Sequence, residues 1–372
     1  MATTTEPQAV PATDTLLNEK VASLTVSDDA TPAGSSDNSE KTSEVAPGPA
    51  VVAPELSSKP VATETPKDDE VFKLPIAHPL DTCKPGSPPE PTAEQQKKYD
   101  TVLAAVEAWT EIPDTAKGTS KAPLTDEERM WLTRNCLLRY LRATKWAPNE
   151  AITRLQATLT WRREFGIYDK ITAEHTAPEN ETGKQVIIGY DINGRPCLYQ
   201  DPSKQNTQES ERQVHHLVYL LERAIDIMPP GQETLALVIN FANSSRKTSP
   251  SMAMSRNVLN ILQTYYPERL GRALISQLPM IISMFFKVIT PFIDPLTREK
   301  IRFNEPYTSN IPPSQLLKSW GGEANFEYEH DVYWPALDAF AKQRKEAFRE
   351  RWIARGKKIG DDEWILKGGS PQ

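Results

Sequence analysis

Between residues 186 and 303 the hydrophobic period of the chain changes, and this change limits the folds open to it. Leu235-Ala236-Leu237-Val238-Ile239 is a continuous apolar run of strand length, as in a strand buried on both faces of a parallel sheet. A parallel neighbour requires a crossover of a dozen or more residues, usually a helix. Helical spacing is found on both sides of that run. Residues 214–228 are stopped by Pro229-Pro230-Gly231, and residues 251–266 are ended by Pro267. Ala273-Leu274-Ile275 and Ile301-Arg302-Phe303 read as further short strands, and residues 186–190 and 197–199 flank Asn193-Gly194 as a hairpin. Helix alternating with strand in this order predicts an α/β layer.

Upstream, three helices are expected. Residues 92–111 carry Tyr99, Val102, Leu103, Val106 and Trp109 at helical spacing. Thr125-Asp126-Glu127-Glu128 has the acids of a first turn and leads into Met130, Trp131, Cys136, Leu137, Leu138, Tyr140 and Leu141 as one helix. A third follows Ala147-Pro148, with Pro148 in the first turn and Ile152, Leu155, Leu159, Trp161 and Phe165 on its apolar face. Residues 333–358 predict a long charged helix, amphipathic through Trp334, Leu337, Phe340, Phe348 and Trp352.

Composition decides how the front of the chain is read. Residues 1–90 hold 13 of the 32 prolines, no Arg, and 6 Lys against 15 Asp and Glu, a charge of −9. Such a segment cannot bury enough apolar surface to offset chain entropy and is expected to be a disordered acidic leader. The other residues carry 37 Lys and Arg against 35 Asp and Glu, so the net −7 belongs to the leader. That balance excludes a broadly basic nucleic-acid binder. The expected division is leader 1–90, helical lobe 92–170, α/β domain 171–335, and C-terminal helix and tail 336–372.

Cys83, Cys136 and Cys197 are widely spaced and odd in number, which excludes a disulfide scaffold and gives no zinc spacing. No apolar run approaches the ~18 residues of a membrane span, and residues 1–6 lack the basic and apolar regions of a signal peptide. A cytoplasmic protein with reduced thiols is expected.

The segment richest in information is Pro279-Met280-Ile281-Ile282-Ser283-Met284-Phe285-Phe286-Lys287-Val288-Ile289-Thr290-Pro291-Phe292. From 280 to 289 only Ser283 and Lys287 are not apolar, so a helix there has no polar face for water. Ten residues make ~15 Å of helix, half of what a bilayer needs. Two readings follow: a buried core helix, or a flap that covers an apolar cavity when closed and lies on a membrane when open. Tyr265-Tyr266-Pro267-Glu268-Arg269 precedes it and Asp294-Pro295-Leu296-Thr297-Arg298-Glu299-Lys300 follows it. Lys suits a phosphate and Glu and Thr suit ring hydroxyls, the chemistry of a phosphorylated polyol. An ordinary solvated charge cluster has the same composition.

Leu137-Leu138-Arg139-Tyr140-Leu141-Arg142-Ala143-Thr144-Lys145-Trp146, Gly194-Arg195-Pro196, Tyr266-Pro267-Glu268-Arg269 and Pro291-Phe292-Ile293-Asp294-Pro295-Leu296-Thr297 together resemble the CRAL-TRIO lipid-binding family. The resemblance extends over about residues 95–335 and is closest to fungal phosphatidylinositol transfer proteins, in the branch associated with pleiotropic azole resistance. It implies a helical N-lobe on a mixed, mainly parallel β-floor, with one lipid closed in by a gating helix. The gate would be Met280, Ile281, Ile282, Met284, Phe285, Phe286, Val288 and Ile289. The headgroup subsite would be Glu268, Arg269, Thr297, Lys300 and Lys145, with Thr144 where founding yeast-type members carry a cation. Members that exchange phosphatidylcholine use pocket tyrosines where this chain has Leu198 and Ile227-Met228. Losing such contacts weakens quaternary-ammonium binding by about 0.5–2 kcal/mol each, which favours a sterol as second ligand. The implied partners are a membrane surface and a phospholipid, at endoplasmic reticulum, lipid droplets or cell cortex; the competing reading is a scaffold, served by the long C-terminal helix and acidic leader, that presents the lipid to a lipid kinase or other partner.

Enzyme chemistry has little support. There is no Gly-x-Ser-x-Gly elbow, and Gly183-Lys184 lacks the Gly of a phosphate loop, Pro178 standing there. His215 and His216 are adjacent, point about 100° apart on a helix and make a poor metal pair. No catalytic residue, cofactor or metal is expected.

Overall fold

The computed structural model describes residues 60–67, 69–86, 89–245, 248, 250–278, 280 and 295–370. Its first helix, α1 (Ala93–Glu107), starts at Thr92, whose hydroxyl accepts from Gln95 N–H while the Gln95 side chain accepts from Thr92 N–H. This reciprocal cap satisfies two donors that a helix start leaves open. The helix ends before Trp109. The chain then makes an unanticipated short hairpin, β1 (Glu111–Pro113) paired with β2 (Lys121–Pro123).

The helix expected from Thr125 is two helices. Thr125 and Glu128 form a capping box for α2 (Asp126–Trp131). Leu132 then leaves helical geometry and Thr133 accepts from Cys136 N–H to start α3 (Arg134–Ala143). Apolar spacing continues across the break, so only the second Thr marks it. Pro148 opens α4 (Pro148–Glu164) from a position where no N–H is needed. Val102, Val106, Leu137, Leu141, Leu155 and Leu159 of α1, α3 and α4 close into one core.

After α5 (Ala173–Asn180), which sequence pattern did not reveal, comes the sheet. Its strands are β3 (Gln185–Tyr190), β4 (Pro196–Gln200), β5 (Leu235–Asn240), β6 (Leu270–Ser276) and β7 (Ile301–Phe303), side by side in that order. β3 and β4 are antiparallel, and β4 to β7 are parallel. The hairpin turn is held by Asp191, whose carboxylate accepts from Asn193 and Arg195 N–H, with Gly194 at φ 70°. Crossovers α6 (Glu211–Asp226) and α7 (Met252–Tyr265) join the parallel strands, α7 capped by Ser251. The α/β expectation of a mixed, mainly parallel sheet with helices holds. α8 (Pro295–Lys300) leads directly into β7. α9 (His330–Ala354) and α10 (Glu363–Leu366) complete the chain. α9 is amphipathic, burying Tyr333, Trp334, Leu337, Phe340 and Trp352 while Asp331, Pro335 and Lys342 are exposed on another face.

The leader expected over 1–90 does not extend that far. Within 60–86, Phe72, Ile76 and Cys83 are buried, Phe72 bridges to Phe326, and Ala77 O accepts from Tyr190 and Arg344. Three apolar anchors and a few main-chain bonds fix a Pro-rich strap whose average composition reads as disordered. Residues 1–59 lie outside the described residues.

Candidate lipid-binding site

Strand register sorts the side chains of the sheet into two faces. Paired residues point the same way, so Ile187, Leu198, Leu237, Ala273 and Ile301 form one row and Gln185, Gln200, Ile239, Ile275 and Phe303 the next. The two rows make an almost wholly apolar floor. Tyr190 pairs with Pro196 on the face of Leu198 and lines a cavity with Ile225 and Met228 beside α6, which places α6 over this floor. Parallel crossovers are right-handed, which brings α7 to the same side. The opposite face carries Val186, Tyr199, Val238 and Leu274 and is covered by Tyr307 and Trp320, with Tyr199 edge-on to Trp320 at 5.1 Å.

Cover over the floor is uneven, with Ala273 and Ile275 of β6 buried. Leu198 is 2% exposed, Leu237, Ile239 and Ile301 are half-buried, and Phe303 is 44% exposed. α7 matches this: of its residues only Ile261 is buried, Met254, Val258 and Leu262 are half-buried, and Met252 is exposed. Of the expected gate, only Met280 is described, and it is exposed. Ile281, Ile282, Met284, Phe285, Phe286, Val288 and Ile289 lie outside the described residues.

The expected headgroup residues fall into two groups. Glu268 sits between α7 and β6 at φ 60°, its carboxylate 3.8 Å from Arg142 Nε. Lys145 is exposed three residues beyond Arg142, with φ 52° and its N–H on the Arg142 carbonyl. Glu268 and Lys145 therefore both neighbour Arg142 at the C-terminal end of α3. Thr297 and Lys300 lie on α8 at the start of β7, with Lys300 half-buried. Ile301 pairs with Ala273, so Lys300 enters about four residues, or ~13 Å, further along the sheet than Glu268. Thr144, standing in for a cation, turns its hydroxyl back onto the Tyr140 carbonyl at 2.9 Å.

Arg269 is buried and turned inward. It donates to Glu233 O at 2.8 Å and lies 3.9 Å from Glu363. It belongs to a charge network that sequence reasoning missed. Arg139 bonds Glu233 at 2.8 Å and Glu363 at 2.9 Å, and Arg142 reaches Glu233 at 3.1 Å. Burial would raise the Glu363 carboxyl, but Arg139 and Arg269 outweigh it and hold it down at about 2. Tyr265 stacks on Trp161 at 4.1 Å, and Tyr266 donates to Glu222, which also takes two bonds from Arg162. Most of the Tyr-Tyr-Pro-Glu-Arg run is thus a clamp between α4, α6 and β6. The signal that was available is the i, i+3 spacing of Arg139 and Arg142 inside an apolar helix; nothing in the local sequence pointed to Glu363.

A cavity of about 170 Å³ adjoins this network, lined in part by Tyr140, Tyr266, Arg269, Ile227 and Met228. It is near the ~150 Å³ that holds one benzene, far short of a two-chain lipid. Ile227 and Met228 thus face a helix-side cavity, whereas Leu198 lies in the floor. Among the described residues no group of His, Cys, Asp and Glu could hold a metal ion, and no helix is long and apolar enough to cross a membrane.

Comparison with known proteins matches the CRAL/TRIO domain over residues 180–322 and the CRAL/TRIO N-terminal domain over 98–157. The chain is 37% identical over 321 residues to the phosphatidylinositol transfer protein PDR17 of Saccharomyces cerevisiae, covering 81% of this chain and 90% of that protein. The chain belongs to the CRAL-TRIO family. It is 48% identical over 322 residues to CRAL-TRIO domain-containing protein C23B6.04c of Schizosaccharomyces pombe, covering 85% of this chain but only 32% of that longer protein. It is 27% identical to the SEC14 cytosolic factor of Kluyveromyces lactis over 53% of this chain and 73% of that one. PDR17 is named as a transfer protein rather than an enzyme, in line with the missing catalytic motifs. The two matched ranges hold the floor and both groups of expected headgroup residues. The strap at 60–86 and Glu363 fall outside them.

Proposed function

We propose that this CRAL-TRIO protein is a non-enzymatic carrier that binds phosphatidylinositol and transfers it between membranes. Its similarity to PDR17 over nine-tenths of that protein carries the reading. The half-covered apolar floor supports it, since at ~0.8 kcal/mol per buried CH₂ acyl chains need a large apolar surface to leave a bilayer. In this reading Glu268, Thr297, Lys300 and Lys145 hold the inositol phosphate and segment 280–289 gates the pocket. Arg269 serves the site by positioning the strand that carries Glu268.

A sterol as second ligand is supported by Leu198, which puts an aliphatic side chain in the floor where a choline site needs an aromatic one. Peripheral residence at endoplasmic reticulum, droplets or cortex and an effect on azole tolerance belong to the same reading. Native mass spectrometry of the purified chain, with lipid extraction, tests it beside Glu268→Ala and Lys300→Ala. Phosphatidylinositol is expected in the wild type and lost in both variants with melting curves unchanged. An empty wild-type protein, or variants with undiminished phosphatidylinositol, would sink it. Binding without transfer between vesicles would point instead to a scaffold that presents lipid to a kinase.

A further inference from the structure

The face of the sheet away from the floor carries three guanidinium groups. Arg272 of β6 lies in the row of Cys197 and Ala236, and Arg302 of β7 lies in the next row, beside Leu274. Arg195, from the turn before β4, packs its Nε so close to Gly271 that a Cβ there would meet it at 2.3 Å. Gly271 thus leaves room for Arg195 beside Arg272.

These charges are unevenly answered. Arg195 donates from Nη1 to Asp191 and Asn193, each at 3.0 Å, and from Nε to Thr234 at 3.0 Å. Arg302 has Glu305 at 3.4 Å. Arg272 has no carboxylate partner among the described residues. Its Nη1 reaches only the Glu299 carbonyl at 3.5 Å, and its buried Nε has no hydrogen-bond partner. Burial, then Arg302 and Arg195, depress its pKa, while Asp191 and Glu305 offset this in part. A buried donor without a partner is uncommon, and it calls for a group that is missing.

We infer that Arg272, Arg302 and Arg195 form a site for a phosphate-type oxyanion, on the opposite face of the sheet from the lipid floor. A dianionic phosphate accepts several bonds, matches the fork of Arg272 and relieves the repulsion between the three cations. The half-exposed Arg302 gives access from the open β7 edge. The same chemistry is offered by a free phosphate monoester and by a lipid headgroup bearing one.

Titration calorimetry of the full chain with inorganic phosphate tests this, beside R272Q and the more exposed R302Q. Saturable millimolar binding is expected, weakened tenfold or more in each variant and reduced by added salt, with melting curves and extracted lipid unchanged. Retention on phosphatidylcholine vesicles containing phosphatidylinositol 4-phosphate, lost in R272Q and displaced by free phosphate, would identify a headgroup as the source. Phosphate binding with no preference between these and plain phosphatidylcholine vesicles would identify a soluble phosphate. No saturable phosphate binding by the wild type, or R302Q and R272Q binding as the wild type does, overturns the site. Lipid extraction reads the floor alone, so either reading can fail without the other.

Discussion

Around Arg139 buried charges are matched one against another, whereas around Leu237 and Ile239 the side chains are apolar and only half covered. In the first region Glu233 and Glu363 bind Arg139 and Arg142 between α3, α10 and the start of β5. Buried pairs of this kind contribute little net stability, but each partner becomes indispensable once the other is present. In the second region neither the floor nor α7 is fully packed by the described residues. The difference teaches where this chain tolerates change: the helical side is fixed by its partners, and the open half of the sheet has contacts left to make.

Arg139→Ala should have the largest effect. It removes the partner shared by two buried carboxylates, leaving Arg142 and Arg269 to answer them, and should cost about 3–5 kcal/mol in urea denaturation. A cost below ~1 kcal/mol would erase the contrast between the regions. Acid should come next. Arg139 and Arg269 overcome burial to hold Glu363 at about 2, and Arg162 does the same for Glu222 at about 2. Both carboxyls sit below their unfolded value of 4.5, so their stabilisation is complete above that pH and is lost as pH falls towards 2. On the order of 2–3 kcal/mol each is at stake. His216 acts in a higher window. Burial, helped by Lys184, lowers it to about 3, so below pH 6.5 the unfolded chain takes up a proton that the folded chain refuses. Stability should therefore begin to decline near pH 6.5. His216→Phe should weaken that first decline, since the buried Nε2 has no partner to lose; His215 and His78, also lowered by burial, keep the rest.

Phe72→Ala tests the strap. It removes a buried ring that meets Phe326 at 5.5 Å and should cost about 3 kcal/mol if the strap is integral to the fold. An unchanged urea midpoint would mean that the strap is a detachable arm. Leu237→Ser should be the mildest, at ~1 kcal/mol or less for a half-buried side chain. The same variant should lose several-fold of its extractable lipid, which sharpens the comparison: little loss of stability, much loss of ligand. A large drop in melting temperature with lipid retained would reverse it.

The parallel strands were legible because an apolar run such as 235–239 between Pro-stopped helices has few other readings. The helix start at Thr125 was legible too, because a short polar side chain before acids has a local cause. The break at Leu132 was hidden by apolar spacing that runs through it. The strap was hidden by composition, since three anchors decide its fate and averages dilute them. Glu268 and Lys145 stand in short motifs, so their expected role could be written from the sequence. The assignment of Arg139 and Arg269 to Glu363 could not, because residues some hundred or two hundred positions apart leave no mark on each other in a single sequence.

The return of the chain's last elements to α3 has a consequence for synthesis. Gly360 N–H bonds Leu132 O, Arg134 N–H bonds Asp361 O, and Glu363 accepts from both Thr133 and Arg139. Residues of the helical lobe are therefore completed by residues synthesised more than two hundred positions later. At ~5–20 residues per second, Arg139 waits about 10–45 s for Glu363. Until then, and in a chain cut short before residue 360, Arg139 has Glu233 to answer it but not Glu363.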